Sequence, residues 1–509
     1  MATVGETQPL LGGPDLQRED TDHQPLPATQ DAVVVVAFDP DGDEDNPQDW
    51  PAAYKWGIVA LLAFMAFTVT FTCISVVPVS NRIVDDLSHG HSSKSASVLL
   101  VTIWELGESA GPLLIAPLSE MFGRYPVFNV ANVLFIGATI LAALCQTTPL
   151  FIGARALTGL AVASNVLSPA IVGDMFVSDQ RGSAMSMIMF APLLGGAVSP
   201  AIAGLVAESL GWRQVLWMSV ILAGICEVVF LTCFRETYKV AILKRRADKL
   251  RRSMDLHRGP GLPRPPIVFA DADMQTESHH RFWDSIMRPA VVFGSSTVLQ
   301  VMSLSGSLMF AFFYIMSTSL PDILEGIYGL SPAKTGSTFI AFSAGSAISV
   351  VIINRLLDRI YVSLRVRNKG LDQPEYRLPL VIVGGFSVPL VVALYGWTAQ
   401  IQLPVWVLVV TLVLLGSTTM LAFIPLLAYV VDAFKLHSAS ALTAVIVTRC
   451  LMGTFLPLAT QPLVSRFGWG WGFMVFAAAS LAMAPIPVLV FKFGARWRRW
   501  SRYTCGSEE

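Results

Sequence analysis

Five ionisable residues interrupt long apolar stretches of this chain. They are Glu105, Glu108, Arg155, Glu227 and Arg449. Ionisable groups are costly in hydrocarbon and usually mark a pathway for protons or substrate. Glu105 and Glu108 are three residues apart and share one face of a helix. If that helix enters a membrane near Val98, Glu108 lies about 15 Å deep. A carboxyl group near the midplane suits proton uptake and release, and the alternatives are a paired structural carboxyl or one facing a wet cavity.

The other three charged residues leave structural roles open as well. Arg155 lies about two turns into its apolar stretch, where a guanidinium needs a carboxylate or carbonyl partner. Glu227 and Arg449 are weaker candidates for the same chemistry. The cysteines have irregular spacing and indicate neither a metal site nor a disulfide framework, so we predict small apolar filler without metal or cofactor. Those cysteines are Cys73, Cys145, Cys226, Cys233, Cys450 and Cys505.

Composition identifies the elements that must position these groups. The chain has 509 residues, is 53% hydrophobic and 14% charged, and has a mean hydropathy of +0.59. Soluble chains average about 25% charged residues. Apolar stretches of this length cross a bilayer as helices, which satisfy their own backbone groups. We therefore predict an all-α integral membrane protein with twelve transmembrane helices. The stretches are 57–79, 97–118, 127–146, 150–172, 183–206, 215–234, 290–318, 334–353, 378–398, 404–428, 440–463 and 470–491.

The polar segments divide the chain into two six-helix pseudo-repeats. Of 35 Lys and Arg residues, 28 fall on one side of the predicted membrane, 5 on the other and 2 inside helices. Positive residues favour the cytoplasmic side, so both termini should be cytoplasmic. The acidic, Pro-rich tail is predicted to be disordered. The predicted divisions are a tail over 1–55, a bundle over 56–234, a central loop over 235–289, a bundle over 290–491 and a tail over 492–509.

A short polar hinge, residues 119–124, joins the second and third stretches. It contains Glu120, Gly123 and Arg124, and a similar helix end in the second half carries Asp358 and Arg359. This faint repeat fits parallel repeats around a central site. The fifth stretch carries a run of small residues and proline, which indicates either a sliding interface or a tight static crossing. That run includes Gly195, Gly196, Ser199, Pro200 and Gly204.

Two short polar motifs have alternative explanations. The basic run 244–246 serves as a topology determinant attracted to anionic headgroups, or as a specific lipid or partner site. Glu6, Leu10 and Leu11 have the form of an acidic dileucine sorting signal, although such a short motif also occurs by chance.

The chain lacks the GxSxG, GxxxxGK[ST] and HExxH motifs, so we predict neither an enzyme nor an ATP-driven pump. Transport would have to use an ion gradient or the substrate's own gradient.

Four patches resemble a known family. They are NPQDWP at 46–51, APLSEMFGRYPV at 116–127, RETYKVAILKRRADKLR at 235–251 and PEYRLPLVIVGGFSVPLVVALYGWTAQ at 374–400. Over roughly 50–495 the chain is similar to fungal transporters of the major facilitator superfamily, in the 12-spanner drug:proton antiporter group. The resemblance implies a rocker-switch fold with a central cavity, and export of small molecules coupled to inward proton flow.

The resemblance also implies roles for individual residues. Glu120 takes the place of the hinge acid, Gly123 of the turn and Arg124 of the base. Arg155 matches a helix 4 arginine often linked to proton coupling, and Gly195, Pro200 and Gly204 match part of the helix 5 antiporter motif. Tyr125 departs from the pattern where a second basic residue is common. Ala197, Ser199 and Ala203 depart where the helix 5 pattern favours Pro or Gly.

Together these features predict a proton-coupled exporter of a hydrophobic toxin, drug or secondary metabolite, with Glu108 as the preferred proton carrier. Its partners would be the substrate, protons and membrane lipids, not nucleic acid, and it would act as a monomer. We expect the plasma membrane, with the vacuolar membrane as the alternative. An importer and an exporter of polyamines or other cations remain open, although acids are few. The alternative from another class is a non-transporting nutrient sensor. Such a sensor would carry a long signalling extension, whereas the tails here have only about 50 and 18 residues.

Overall fold

The computed structural model describes residues 33–39, 42–88, 93–256, 267–270, 281–370 and 373–498. It is a helical bundle with one small parallel pair of strands, β1 (Val33–Val36) and β2 (Ile267–Ala270). The helices of the first half and the central loop are α1 (Ala52–Ile74), α2 (Ser80–Leu87), α3 (Lys94–Phe122), α4 (Arg124–Leu144), α5 (Thr148–Leu160), α6 (Ser164–Met175), α7 (Ser178–Ser209), α8 (Trp212–Cys233) and α9 (Lys239–Leu256). The helices that follow are α10 (Arg281–Ser295), α11 (Thr297–Gly326), α12 (Pro332–Arg367), α13 (Pro379–Gln400), α14 (Val405–Phe434), α15 (Ser438–Phe455), α16 (Thr460–Met483) and α17 (Pro485–Arg498).

The helical segments confirm the predicted membrane class. Eleven segments in the described ranges are long and apolar enough to span a bilayer. The last, Ser438–Arg498, has 61 residues and would measure about 90 Å if straight, three times a hydrocarbon core of roughly 30 Å. The chain turns inside it at Gly468, where φ is +77°. This segment therefore has length for two crossings, in agreement with twelve helices.

The seventh crossing begins later than the sequence predicts. The apolar run 290–318 looks continuous, yet the helix breaks at Ser296, whose side chain accepts a hydrogen bond from the Leu299 backbone N–H at 3.4 Å. This cap starts α11, which continues to Gly326. The residues before it belong to α10, so a local polar cap divides one apolar run between two helices.

Among the described residues, two helix crossings provide most of the contact between the halves of the bundle. We call the end where α3 meets α4 the hinge end, and the opposite end the distal end. Near the distal end α7 packs on α12, and a Cβ atom on Gly204 or Gly336 would overlap the backbone of the other helix. Where α3 meets α15, Thr102 Oγ1 donates to the Thr454 carbonyl at 3.0 Å, and Thr454 Oγ1 donates back at 3.4 Å. Small residues thus permit direct backbone contact.

The N-terminal segment is folded against the central loop where the structure describes it. Strand β1 pairs with β2, and Phe38 packs on the apolar side of α9. Arg246 of α9 donates to both carboxylate oxygens of Asp43 at 2.6 Å and to Asp45 at 2.7 Å. This segment falls within the 1–55 tail that is predicted to be disordered, and α9 offers it an apolar face and a counter-charge. Glu6, Leu10 and Leu11 lie outside the described residues.

Candidate functional site

The crossing of α3 with α5 positions the two central carboxylates. Gly107 of α3 and Gly159 of α5 lie against each other's helix backbone, where a Cβ atom would overlap carbonyl groups. This close contact fixes the rotation and depth of α3. Glu105 and Glu108 are consequently held in the interior, with only 1% and 5% of their surface exposed.

A charged cluster forms where these carboxylates meet the second half. Arg449 Nη2 of α15 lies 3.4 Å from Glu108 Oε1 and 4.0 Å from Glu105 Oε2. The Tyr314 hydroxyl of α11 donates to Glu105, and the Asn165 amide of α6 donates to Glu108 Oε1 at 2.8 Å. We call these five residues the central cluster. It joins two helices of each half and contains three of the five ionisable residues that the sequence singles out.

The central cluster contains one more acid than base. Two carboxylates and one guanidinium leave one excess negative charge when all three are ionised. Glu105 Oε2 and Glu108 Oε2 have no hydrogen-bond partner among the described residues. An uncompensated buried charge is costly, and binding one proton would remove it. The arrangement is therefore chemically suited to take up and release a proton.

Aromatic side chains border the basic member of the cluster. The Arg449 guanidinium lies 4.6 Å from the centre of the Phe310 ring, a distance that gives a cation–π contact. The Phe310 ring lies 4.9 Å from that of Phe423. Asn165 is exposed although it lies in the middle of the fourth crossing, so solvent reaches this part of the interior. Apolar rings beside a polar cluster are typical of small-molecule sites.

One set of cluster atoms has the spacing of metal ligands. Carboxylate oxygens of Glu105 and Glu108 and the Cys450 sulfur lie within 4.8 Å of one another. Arg449 Nη2, however, is 3.4 Å from Glu108 and 3.6 Å from the Cys450 sulfur. The guanidinium supplies the counter-charge and opposes the approach of a cation. We therefore assign no metal to this cluster.

Arg155 is bonded to backbone rather than to a carboxylate. It donates to the carbonyls of Cys73 at 2.6 Å, Thr72 at 3.2 Å and Leu100 at 3.4 Å. The first two belong to the last turn of α1, where carbonyls lack partners within the helix. A positive charge is also favourable at that end of a helix. The sequence predicted either a carboxylate or carbonyl groups as partners of Arg155, and in the structure the partners are carbonyl groups.

Glu227 lies apart from the central cluster. It is buried between α8 and α4, where the Asn132 amide donates to its Oε2 atom at 2.7 Å. The neighbouring Val228 and Val229 are exposed on the outside of the bundle. Glu227 therefore has a polar partner, Asn132, near the outside of the bundle. It has no described contact with the other four ionisable residues.

The hinge base contacts two acids that were not predicted from the sequence. Arg124 Nε lies 3.4 Å from Asp174 at the end of α6, and its guanidinium also donates to Ser119. Its backbone N–H donates to Glu236 at 2.7 Å. Glu120, the predicted hinge acid, is exposed and has no ion pair among the described residues.

Gly123 has a conformation that favours glycine. Its φ is +100°, and a Cβ atom there would overlap the Glu236 carboxylate. That carboxylate also accepts the Tyr125 backbone N–H at 3.3 Å, so it caps the start of α4. The sequence offered one signal for this contact. Glu236 follows the sixth apolar stretch directly and belongs to the RETYK patch.

A related arrangement recurs in the second half. Arg377, just before α13, pairs with Asp432 at the end of α14 and lies 3.2 Å from Asp358. Arg359, the other predicted hinge residue, is exposed without an ion pair among the described residues. In both halves a base at the start of the third helix pairs with an acid at the end of the fourth. Asp358 was predicted from the sequence, whereas Arg377 and Asp432 were not, because they are distant from it along the chain.

The small residues of the fifth crossing face two neighbours. A Cβ atom on Gly195 would lie 2.9 Å from the Phe67 carbonyl of α1, whereas one on Gly196 would have only ordinary contacts. Pro200 and Gly204 lie against the opposite helix, α12. The predicted small-residue motif therefore lies between α1 and the other half of the bundle.

Comparisons with known proteins agree with this architecture. The family model described as Major Facilitator Superfamily matches residues 57–457. The chain is 32% identical to efflux pump radE of Floropilus chiversii, over 92% of this chain and 86% of that protein. It is 30% identical to MFS-type transporter penM of Penicillium rubens, over 85% and 83%. The crystal structure of a D-xylose-proton symporter has a TM-score of 0.63 at 17% identity, covering 90% of this chain and all of that one.

Proposed function

Since the chain belongs to the Major Facilitator Superfamily of transporters, we propose that it exports small hydrophobic molecules in exchange for protons. The central cluster is the observation that carries this proposal. Its excess carboxylate provides a proton site, and its residues come from both halves. The name of the efflux pump radE favours export over import as the direction. A toxin, drug or secondary metabolite would be the substrate, with the nearby aromatic rings as its apolar contacts.

Proton binding would weaken a contact between the halves. Protonation of Glu108 removes the negative charge that lies 3.4 Å from Arg449 Nη2. The guanidinium is then held mainly by Glu105 and the Phe310 ring. Because α3 and α15 belong to opposite halves, the protonation state of Glu108 would shift the balance between two arrangements of the bundle.

The hinge contacts would keep each half rigid during that change. Arg124, Asp174 and Glu236 all lie in the first half or directly after it, and Arg377, Asp358 and Asp432 lie in the second. These ion pairs therefore connect helices of the same half. Each half would then rotate as a unit while the contacts between the halves at the distal crossings separate, a common form of alternating access.

The orientation and the membrane are part of the same proposal. The excess of Lys and Arg at the hinge end and in the tails supports a cytoplasmic location for both. Export from the cell would require the plasma membrane, and storage would require the vacuolar membrane. We propose the plasma membrane and a monomer, because the proton site is formed within one chain.

The decisive test is proton-driven transport by purified protein in liposomes. A deletion strain's sensitivity and export profile would first supply the substrate. We expect Glu108→Gln to reduce pH-gradient-driven transport at least tenfold, about 1.4 kcal/mol in free energy, while counterflow exchange persists. Asp85→Asn is the matched control, because Asp85 is an exposed acid of α2, in the same half, outside the cluster and the hinge. Unchanged gradient-driven transport by Glu108→Gln would refute its role, and binding without any exchange would indicate a sensor.

A further inference from the structure

Helix α9 has two stripes on opposite faces. Leu243, Ala247 and their apolar neighbours are covered by Val36 and Phe38 of the N-terminal segment. Arg245, Lys249 and Arg252 follow the spacing i, i+4, i+7 and are exposed. Residues at this spacing share one face of a helix, and the second set is offset from the first by about half a turn. We call Arg245, Lys249 and Arg252 the basic stripe.

Contacts at the hinge show which way the basic stripe faces. Arg245 Nη2 lies 3.7 Å from Glu236 Oε2, and Glu236 caps the start of α4. The stripe therefore faces the ends of the membrane helices. Helix α9 begins only six positions after α8 ends at Cys233. At 1.5 Å per residue, Lys249 and Arg252 lie about 6 and 10 Å farther along the helix than Arg245.

We propose that the basic stripe binds the phosphate groups of anionic phospholipids beside the hinge end. The sequence of α9 carries seven basic and two acidic residues directly after a membrane crossing, a pattern that attracts anionic headgroups. Lys249 and Arg252 are exposed, and neither has a hydrogen bond or an ion pair among the described residues. The apolar face of α9 is already covered, so the contact would be electrostatic rather than an insertion into the bilayer.

An acidic protein segment fits this stripe less well than lipid does. The chain's own acidic segment already contacts α9, and it does so through Arg246, with Asp43 and Asp45 as acceptors. That contact lies beside the apolar stripe of α9. It leaves the basic stripe, which faces the membrane helices, exposed. A phosphate bound at Arg245 would share this guanidinium with Glu236, the residue that caps the start of α4.

Lipid binding is measurable on the full-length protein without a transport substrate. Purified protein in neutral detergent would be titrated with short-chain phosphatidylinositol and with short-chain phosphatidylcholine. Binding would be followed by thermal unfolding and by mass spectrometry of retained lipid. We expect selective binding of phosphatidylinositol that weakens as salt increases. Lys249→Gln with Arg252→Gln should weaken it about thirtyfold, in keeping with the loss of two charges near the surface.

Two controls separate position from total charge. Lys249→Arg with Arg252→Lys keeps both charges and should retain binding. Arg355→Gln with Arg367→Gln removes two exposed charges from α12 instead and should also retain it. Equal binding of both lipids, no salt dependence, or unchanged binding by the α9 double glutamine variant would overturn the proposal. Stronger binding of polyglutamate or of inorganic phosphate than of lipid would overturn it too. If the double variant does not fold, the lipid preference and salt dependence of the wild-type chain decide.

Discussion

At the scale of residues, the central cluster is defined by how its buried charges compensate one another. Glu105 and Glu108 have a single guanidinium between them, supplied by a helix of the other half. Tyr314 and Asn165 each satisfy one carboxylate oxygen, which leaves the second oxygen of each acid without a described partner. Such a group depends on all its members, since the loss of one exposes the charge of the rest.

Arg449→Gln should therefore destabilise the protein strongly, and a second substitution should relieve the effect. Removing one partner of a buried ion pair costs roughly 3–5 kcal/mol. Arg449→Gln with Glu108→Gln removes one charge of each sign and should recover much of that loss. Thermal unfolding of the purified variants at neutral pH would measure both. If the double variant were no more stable than Arg449→Gln alone, charge compensation would not explain the cluster.

Gly123 gives a second prediction about a single residue. Gly123→Ala should lower stability because an alanine at φ +100° and ψ 162° is strained by roughly 1–3 kcal/mol and its Cβ atom would overlap Glu236. Gly137→Ala is the matched control, since Gly137 lies inside α4 with open space around its Cβ position. Alanine is favoured over glycine in a helix interior by about 1 kcal/mol.

Thermal unfolding would compare the two glycine variants with the wild-type chain. We expect Gly137→Ala to be neutral or stabilising and Gly123→Ala to be destabilising. Equal effects at the two positions would show that neither the positive φ nor the contact with Glu236 constrains the hinge.

At the scale of elements, local signals predicted the helices better than they predicted their partners. Apolar length identified the membrane helices, and the family resemblance is confirmed by a match over 57–457. The partner of Arg124 is Asp174, 50 residues away, and that of Glu105 is Tyr314, 209 residues away. Such pairs are set by helix packing, so a window along the sequence cannot detect them. The break at Ser296 was missed because one polar cap is a weak signal inside a long apolar run.

The contact of β1 with the central loop should depend on acid in a defined range. Arg246 donates two hydrogen bonds to Asp43, and this lowers the pKa of Asp43 to about 2 from an ordinary value of 3.8. A lowered pKa stabilises the contact above pH 3.8, and that stabilisation disappears as the pH falls towards 2. Hydrogen exchange should therefore show Val33–Val36 protected at neutral pH and progressively exposed over this acidic interval.

Substitutions test the same contact at neutral pH. Asp43→Asn with Asp45→Asn should remove the protection of β1 without acid, because the charged partners of Arg246 are lost. Asp248→Asn is the control, since Asp248 is an exposed acid of α9 that pairs with Arg251. Protection that survives in the Asp43 and Asp45 variant would mean that the strand pairing and Phe38 alone hold the segment.

At the scale of the whole molecule, the two halves meet most closely towards the distal end. Direct backbone contact joins α7 with α12, and Lys94 of the first half lies 2.6 Å from Asp322 of the second. The ion pairs of the hinge end connect helices within one half instead. Rotation of one half against the other would thus break the distal contacts and preserve the hinge pairs.

A reversible cross-link at a distal contact tests that motion. Thr102 and Thr454 are buried, and each hydroxyl contacts the other residue's backbone carbonyl, so cysteines at both positions should form a disulfide. If transport requires separation of α3 from α15, oxidation of Thr102→Cys with Thr454→Cys should abolish it and a reductant should restore it. Thr102→Cys alone should keep its activity under oxidation. Mass spectrometry would verify that the chain is cross-linked. Full transport by the cross-linked chain would mean that this contact persists throughout the cycle and that the halves rotate about a different axis.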